Sequence, residues 1–516
     1  MRITPMQDDL DQPRFRIVRR TPVTRCLVWA ILAGSGAACV QNGEGHREIS
    51  EALANYERSH ATTVSRYAGV PKVSKGTTTG PAARTHQPVI EDGTLAGLIA
   101  TALGRNPDIL ASIDAARSIA SRIPQATALT DPMLMTKTLP EPVRTAEGDN
   151  YFVLGVQQKF PVPEKLDRRG QVALAETRMA IEALRQTRLR VIADVKRSYF
   201  QLYVIDQAVL ITRENQALLR DLIDVARGQL ITGKRQQEDV LRAQVELSNL
   251  ESQLVELGQR RVTTVALINS IADRPPASGV ATPPEYDIRR LAPRLDEFLA
   301  QAHRLNPELE QIGFQIERDE QRLRLAKLEY WPDFTVGFEW MYMEPRAAFR
   351  PPVNPQTGMR PRVSQMSEEG SDNWAITFGF NVPISFERIE GGIREAREQL
   401  SASRRHFNSA KNRITYQVED ALARIQSQRD IADLFSTAII PQAEQAYEVS
   451  RQGYITGTSD FQFVIDNWQK WLFFRLQYYR TLGELERSVA DLEQAVGVSV
   501  IEAQDAPTPK TSGNGD

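Results

Sequence analysis

Residues 164–274 contain no proline, and residues 384–440 contain none either. Proline breaks or kinks a helix that contains it, so these runs permit helices of unusual length. In the second run, positions 389, 393, 396, 400, 403, 407, 410, 414, 417 and 421 step by four and three. They read Ile, Ile, Ala, Leu, Ser, Phe, Ala, Ile, Gln, Ala. All but Ser403 and Gln417 are apolar, which is the seam of a coiled coil. Ile181, Leu184, Val191, Val195, Leu202 and Val209 make a similar seam in the first run. A helix from Glu164 to Gly228 is roughly 100 Å long at 1.5 Å per residue. That length suits a rod or the wall of a tube.

The two runs belong to two copies of one plan. "LAGLIATALGRNPDI" begins at Leu95 and "LDEFLAQAHRLNPEL" at Leu295. Leu95, Ala100, Ala102, Asn106 and Pro107 recur as Leu295, Ala300, Ala302, Asn306 and Pro307. Pro132 recurs as Pro332, "QKFPVPEKLDRRG" pairs with "FNVPISFERIEGG", and "LITGKRQQEDVL" pairs with "YITGTSDFQFVI". Landmarks repeated in one order predict a tandem duplication. The Thr-Gly pairs, Thr232-Gly233 and Thr456-Gly457, supply a helix stop and a turn into a returning helix.

Four strands are expected between the helices: a weak one at 132–138, then 151–160, 333–343 and 374–382. Their alternation is regular. Phe334, Val336, Phe338, Trp340 and Tyr342 share one face of the third, and Trp374, Ile376, Phe378 and Phe380 share one face of the fourth. The opposite faces carry small or polar residues. Large apolar side chains outward and small or polar ones inward, over nine to eleven residues, is the pattern of a membrane β-barrel. A half-buried sheet packed on helices is the other reading of such a face. The duplication, the excess of helix and a basic-then-apolar N-terminus that fits an export signal favour lipid. Four strands cannot close a barrel, so several chains must pool theirs. The Pro- and Arg-rich segment 344–371 reads as an exposed outer loop.

The only long uncharged apolar run is "CLVWAILAGSGAAC" at 26–39, preceded by Arg14, Arg16, Arg19, Arg20 and Arg25. It is too short for a spanning helix and fits a secretory signal. Cys39 follows Gly36-Ala37-Ala38 and resembles a lipobox cysteine, although Gly36 departs from the usual aliphatic residue. Ordinary cleavage near Ala37 or Ala38 is the alternative. Cys26 and Cys39 are the only cysteines, so no disulfide framework is expected. A net charge of −2 gives no sign of nucleic acid as a partner.

With hairpins, long helices and duplication assembled, the chain resembles the TolC-type outer-membrane factors over residues 90–498. The resemblance rests on the paired Asn-Pro openings, on Pro161 and Pro383 after the outer strands, and on "ITGKRQQEDVLRAQ" and "YITGTSDFQFVIDN" at the helix turns. It implies a mainly α fold with β: a homotrimer with a twelve-stranded β-barrel shared by three chains and a long periplasmic α-helical barrel. The implied partners are a periplasmic adaptor, an inner-membrane transporter and outer-membrane lipid.

The division that follows is a signal peptide at 1–38, an anchor and equatorial segment at 39–94, a first repeat at 95–272, a linker at 273–294, a second repeat at 295–498 and a disordered tail at 499–516. The expected function is the passive exit duct of a tripartite efflux pump, carrying small molecules or metal ions. A type I protein-secretion duct and a periplasmic coiled-coil scaffold or adaptor are the alternatives.

The resemblance also implies a gate at the periplasmic tip. Asp466 matches one position of a carboxylate ring, and Phe463 stands at the other. Asp239 matches the acidic partner on the first turn and Tyr454 a tyrosine at the second. Ser459 replaces the expected basic residue, with Arg235, Arg242 or Arg451 as candidate substitutes. The adaptor is expected to dock around Thr232, Gly233, Thr456 and Gly457. No catalytic or metal-ligating constellation is found, since the five histidines have no ligand spacing, and neither an enzyme nor a cofactor is expected. Met133, Met135, Met341, Met343, Met359 and Met366 cluster in the strands and loops. Thioethers bind Cu(I), but methionine also fills gaps in membrane surfaces.

Overall fold

The computed structural model describes residues 93–145, 148–233, 236–284, 294–345, 353–360 and 370–498. The expected signal peptide, Cys39, residues 40–92, Arg235 and the tail 499–516 lie outside the described residues.

The first repeat runs α1 (Leu95–Arg105), α2 (Pro107–Ala120), short α3 (Arg122–Thr127), β1 (Met133–Thr145), β2 (Gly148–Phe160), α4 (Pro163–Ile231) and α5 (Gln237–Ile271). The second runs α6 (Leu295–Leu305), α7 (Pro307–Lys327), β3 (Phe334–Glu344), β4 (Asn373–Phe380), α8 (Phe386–Leu434), α9 (Ile440–Thr456) and α10 (Phe461–Val496). The order of elements is thus repeated, apart from α3 and one break in the long helix.

The paired Asn-Pro motifs do the same work in each repeat. Oδ1 of Asn106 accepts the backbone N–H of Asp108 and Ile109, and Oδ1 of Asn306 accepts those of Glu308 and Leu309. Each asparagine therefore caps the helix that its proline opens. Its amide then donates across the core to the end of the returning helix: Asn106 to Ile271 O at 2.8 Å, Asn306 to Ala495 O at 2.7 Å. Equivalent apolar clusters surround these ties, with Leu98, Ile109 and Ile268 in one and Phe298, Leu309 and Leu492 in the other. Asn306→Ala is expected to cost about 2 kcal/mol, from a lost cap and a lost buried hydrogen bond. Asn306→Asp keeps the cap but sets a carboxylate against the Ala495 carbonyl, so it should be no better in urea melts. A wild-type melt for Asn306→Asp would show that the cross-helix bond contributes nothing.

Helix α4 has 69 residues and is therefore about 100 Å long. It packs in turn on α2, α7, α10 and α5, so no single face of it stays apolar along its length. Its counterpart is broken. Pro441 lies in the first turn of α9, where its ring would clash with a carbonyl one turn back. The chain absorbs this in a π-helical turn at Phe435–Ile439. The coiled-coil seam of α8 is buried at Ile389, Leu400, Ser403, Ala410 and Ile414. It then slips by one position, burying Val418 and leaving Gln417 exposed, as a 3.6-residue helix drifts against a seven-residue repeat.

Between α4 and α7, Nη1 of Arg185 bridges Glu182 at 2.8 Å and Glu310 at 3.2 Å. Burial pushes the Glu182 carboxyl up to about 7, against the opposing pull of Arg185 and with a further push from Glu310. This is a knot between two packed helices.

The four strands form one antiparallel sheet in the order β1-β2-β3-β4. The two hairpins are joined through β2 and β3, from Phe160 opposite Phe334 to Asp149 opposite Glu344. The expected first strand, 132–138, is longer than its sequence indicates. It reaches Thr145, with a register shift between Thr138 and Val143 around Pro140 and Pro142, which have no N–H to give a ladder. As the sheet's edge strand, β1 tolerates both.

Candidate functional site

Phe334, Val336, Phe338, Trp340 and Tyr342 do share one face of β3. Phe334 faces Phe380, Val336 faces Phe378, Phe338 faces Ile376 and Trp340 faces Trp374 on β4. On the other side, Phe152, Leu154, Val156 and Phe160 of β2 extend the same face. It carries no charged side chain along Phe334–Tyr342 or the strands paired with it there, yet it is open: Trp374 is 66% exposed and Phe378 77%. The rings of Phe338 and Trp374 stack with centroids 6.5 Å apart. The opposite face holds Thr335, Gly337, Ala375 and Thr377, and an ion pair of 3.4 Å from Lys137 to Glu339. That pair spans β2 above Gly155, where an added Cβ would lie 3.2 Å from Cγ of Glu339. In water such an apolar face needs a cover. In lipid it needs none, but edge strands β1 and β4 then need partners for their free backbone groups.

Where the sheet meets the helices lies a buried charge that the sequence did not announce. Lys165, in the first turn of α4, has a side chain only 2% exposed. Its ammonium donates to Asp333 Oδ1 at 2.8 Å and to Trp331 O at 2.9 Å. Lys159 pairs with the other Asp333 oxygen at 3.0 Å. Burial pushes the Asp333 carboxyl up, but the hydrogen bonds and charges of Lys165 and Lys159 outweigh it and hold the group below the usual carboxylate range.

The two Thr-Gly turns lie side by side at the far end of the helices. Thr232 and Thr456 each bond back to a carbonyl of the last helical turn, at 3.0 Å to Gln229 and Gln452. Gly233 and Gly457 both take the left-handed conformation, with φ of 72° and 86°, which glycine adopts freely. Gln229 donates to Ile455 O at 3.2 Å and ties one turn to the other. Behind the turns, a core of Leu222, Ala226, Val240, Tyr447, Val464 and Trp468 joins the two helix pairs.

Tyr454 is fully buried in this core. Its hydroxyl donates to Asp239 Oδ2 at 3.1 Å and its ring meets Phe461 edge-on at 5.1 Å. Asp239 sits in the first turn of α5, where the helix dipole favours an anion. The expected substitutes for the missing basic residue are engaged elsewhere among the described residues. Arg451 pairs with Glu448 at 3.1 Å, and Arg242 pairs with Glu238 at 2.7 Å and donates to Gln462. Asp466 accepts from Gln462 Nε2 at 3.1 Å. Phe463 is 59% exposed and, with Ser459, lines an open groove shared by Ala446, Val449, Gly453 and Asn467. Gly453 is required there, because an added Cβ would lie 2.9 Å from that of Ser459.

The described helices include none long and apolar enough to cross a membrane. The family model for outer membrane efflux proteins matches residues 98–272 and 298–498, each covering one repeat. The chain belongs to the outer membrane efflux protein family. One relative is the cobalt-zinc-cadmium resistance protein CzcC of Cupriavidus metallidurans, 22% identical over 412 residues, covering 78% of this chain and 90% of CzcC. Among solved structures, the outer membrane protein VceC of Vibrio cholerae superposes with a TM-score of 0.63 at 16% identity, over 78% of this chain and 96% of its own. CusC, described as forming a transmembrane channel, gives 0.66 at 14% identity, over 83% and 99%. At such identities the solved structures speak for the fold.

The efflux protein is therefore the outer-membrane exit duct of a tripartite efflux pump, in a family of channels rather than enzymes. Its strands, helix turns and duplication were readable in sequence. Lys165 and Gln462 were not: a lysine in a first helical turn and a glutamine on a helix are ordinarily solvated.

Proposed function

We propose that three copies of this chain close a twelve-stranded barrel in the outer membrane, β1 of one copy pairing with β4 of the next. The aromatic face lies in lipid, and Lys137 and Glu339 face a wet lumen. The long helices continue as a periplasmic tube. The turns at Thr232-Gly233 and Thr456-Gly457 form its tip, where an adaptor docks and hands over cargo from an inner-membrane transporter. Cys39 is acylated and adds a lipid anchor. The observation that carries this reading is the uncharged, exposed face of a sheet that cannot close alone.

At the tip, Asp466 of each copy contributes to a carboxylate ring and Phe463 to an apolar constriction. The bond from Tyr454 to Asp239 holds the helix pairs together in the closed state. A ring of carboxylates in a narrow pore favours cations, and the relative from Cupriavidus metallidurans is named for cobalt, zinc and cadmium resistance. Divalent metal cations are the cargo class we propose.

The test is a deletion strain loaded with cobalt, zinc, cadmium or a fluorescent dye, with and without the gene restored. Restored export of the metals, with a heat-modifiable trimer in the outer-membrane fraction, is expected. Export of the dye alone would refute the cargo. A chain found soluble in the periplasm and monomeric before boiling would refute the duct.

A further inference from the structure

Helices α5 and α10 begin beside each other at the tip, each just after its turn. On α5, Glu238 and Arg242 are one turn apart. Oε1 of Glu238 accepts from Nε of Arg242 at 3.0 Å and from Nη2 at 2.7 Å. This fixes the plane of the guanidinium and leaves Nη1 free to donate to Gln462 Oε1 on α10. The Gln462 amide then donates from Nε2 to Asp466 Oδ1 at 3.1 Å, one turn further along the same helix. The amide can sit only one way round. Its carbonyl must meet the cation and its NH2 the carboxylate, since the flipped amide would face a donor with a donor. A neutral side chain with both functions thus bridges Arg242 and Asp466, which share no ion pair among those described.

We propose that Gln462 is a positioning residue of the aperture. Through Arg242 it fastens α10 to α5, and through its own N–H it aims the Asp466 carboxylate. This is a further tie between the helix pairs, beside the bond of Gln229 to Ile455 O and the buried bond of Tyr454 to Asp239. The resemblance expects a basic residue at Ser459, three residues before Gln462. Being exposed, each link is weak alone, and threefold repetition around an aperture makes the set count. The proposal rests on the reading of Asp466 as an aperture residue.

Purified trimers in planar bilayers test it. Gln462→Leu and Arg242→Leu are each expected to raise conductance about twofold, the shift in the open-to-closed ratio that losing one weak exposed link allows. The double variant should go no further, because both cut one link. Arg242→Lys, which keeps a donor, should stay near wild type. Gln462→Leu should also lower the cation-over-anion permeability ratio, which a merely structural surface contact would not move. Asp466→Asn reports separately on the reading beneath: an unchanged ratio would remove Asp466 from the aperture. A Gln462→Leu channel like wild type in both conductance and ratio overturns the proposal whatever Asp466→Asn does. Additive effects of Arg242→Leu and Gln462→Leu also overturn it. Gln462→Ala and persistence of the heat-modifiable trimer guard against misfolding as the cause.

Discussion

Asp333→Ala is expected to destabilise the protein by about 3–5 kcal/mol per chain, the cost of leaving a buried charge without its partner. The stranded charge is the ammonium of Lys165, which keeps only the Trp331 carbonyl. Lys159 loses a partner too, but its side chain is 54% exposed and water replaces the carboxylate. Lys165→Met with Asp333→Leu removes both charges and should recover most of the loss, since an apolar pair of similar volume replaces a buried ion pair at little net cost. The pH dependence has a definite sign. The Asp333 carboxyl titrates lower in the folded chain than in the unfolded one, so its contribution is complete above the ordinary carboxylate value. It is lost as pH falls through the depressed value. The measurement is urea or SDS unfolding of the reconstituted protein across that range. Equal stability of Asp333→Ala and the double variant would mean that Lys165 is not buried in the assembled protein.

Phe378→Arg has the second large effect. Phe378 lies on the uncharged face with Trp374, Ile376 and Phe380, and is 77% exposed among the described residues. An arginine facing lipid near mid-membrane costs about 2–4 kcal/mol, falling towards the interfaces. Thr377→Arg, one residue away, points to the opposite face with Glu339 and should cost little. Refolding into lipid vesicles, followed by the band that shifts on boiling, compares the two. A periplasmic scaffold with its sheet packed in a protein core would also resent Phe378→Arg, but it would show no need for lipid in folding.

Much of this architecture was legible because its signals are local. Two proline-free runs give the long helices, Asn106 and Asn306 open equivalent helices, and the alternation from Phe334 to Tyr342 needs no partner to be read. What was hidden depends on contacts far apart in sequence. The joining of β2 to β3 brings Phe160 beside Phe334, and the first strand is expected to end at 138 because Pro140 and Pro142 mask its continuation to Thr145, which the ladder to β2 sustains. Lys165 looked like a solvated first-turn lysine until Asp333 folded against it. At the tip, sequence named Tyr454 and Asp239 but left Arg235, Arg242 and Arg451 as candidate partners for Asp239. In the fold Arg242 turns instead to Glu238 and Gln462.

Which face of the sheet meets lipid decides between an outer-membrane duct and a soluble scaffold. Single cysteines at positions 374–380, in a background with Cys26→Ser and Cys39→Ser, can be spin-labelled and reconstituted in vesicles. Collision with lipid-soluble oxygen and with a water-soluble nickel chelate is then read at each position. The expected result is a two-residue alternation: oxygen dominates at 374, 376, 378 and 380, and the chelate at 375, 377 and 379. Labels shielded from both probes at 374, 376, 378 and 380, or an alternation of the opposite phase, would contradict it.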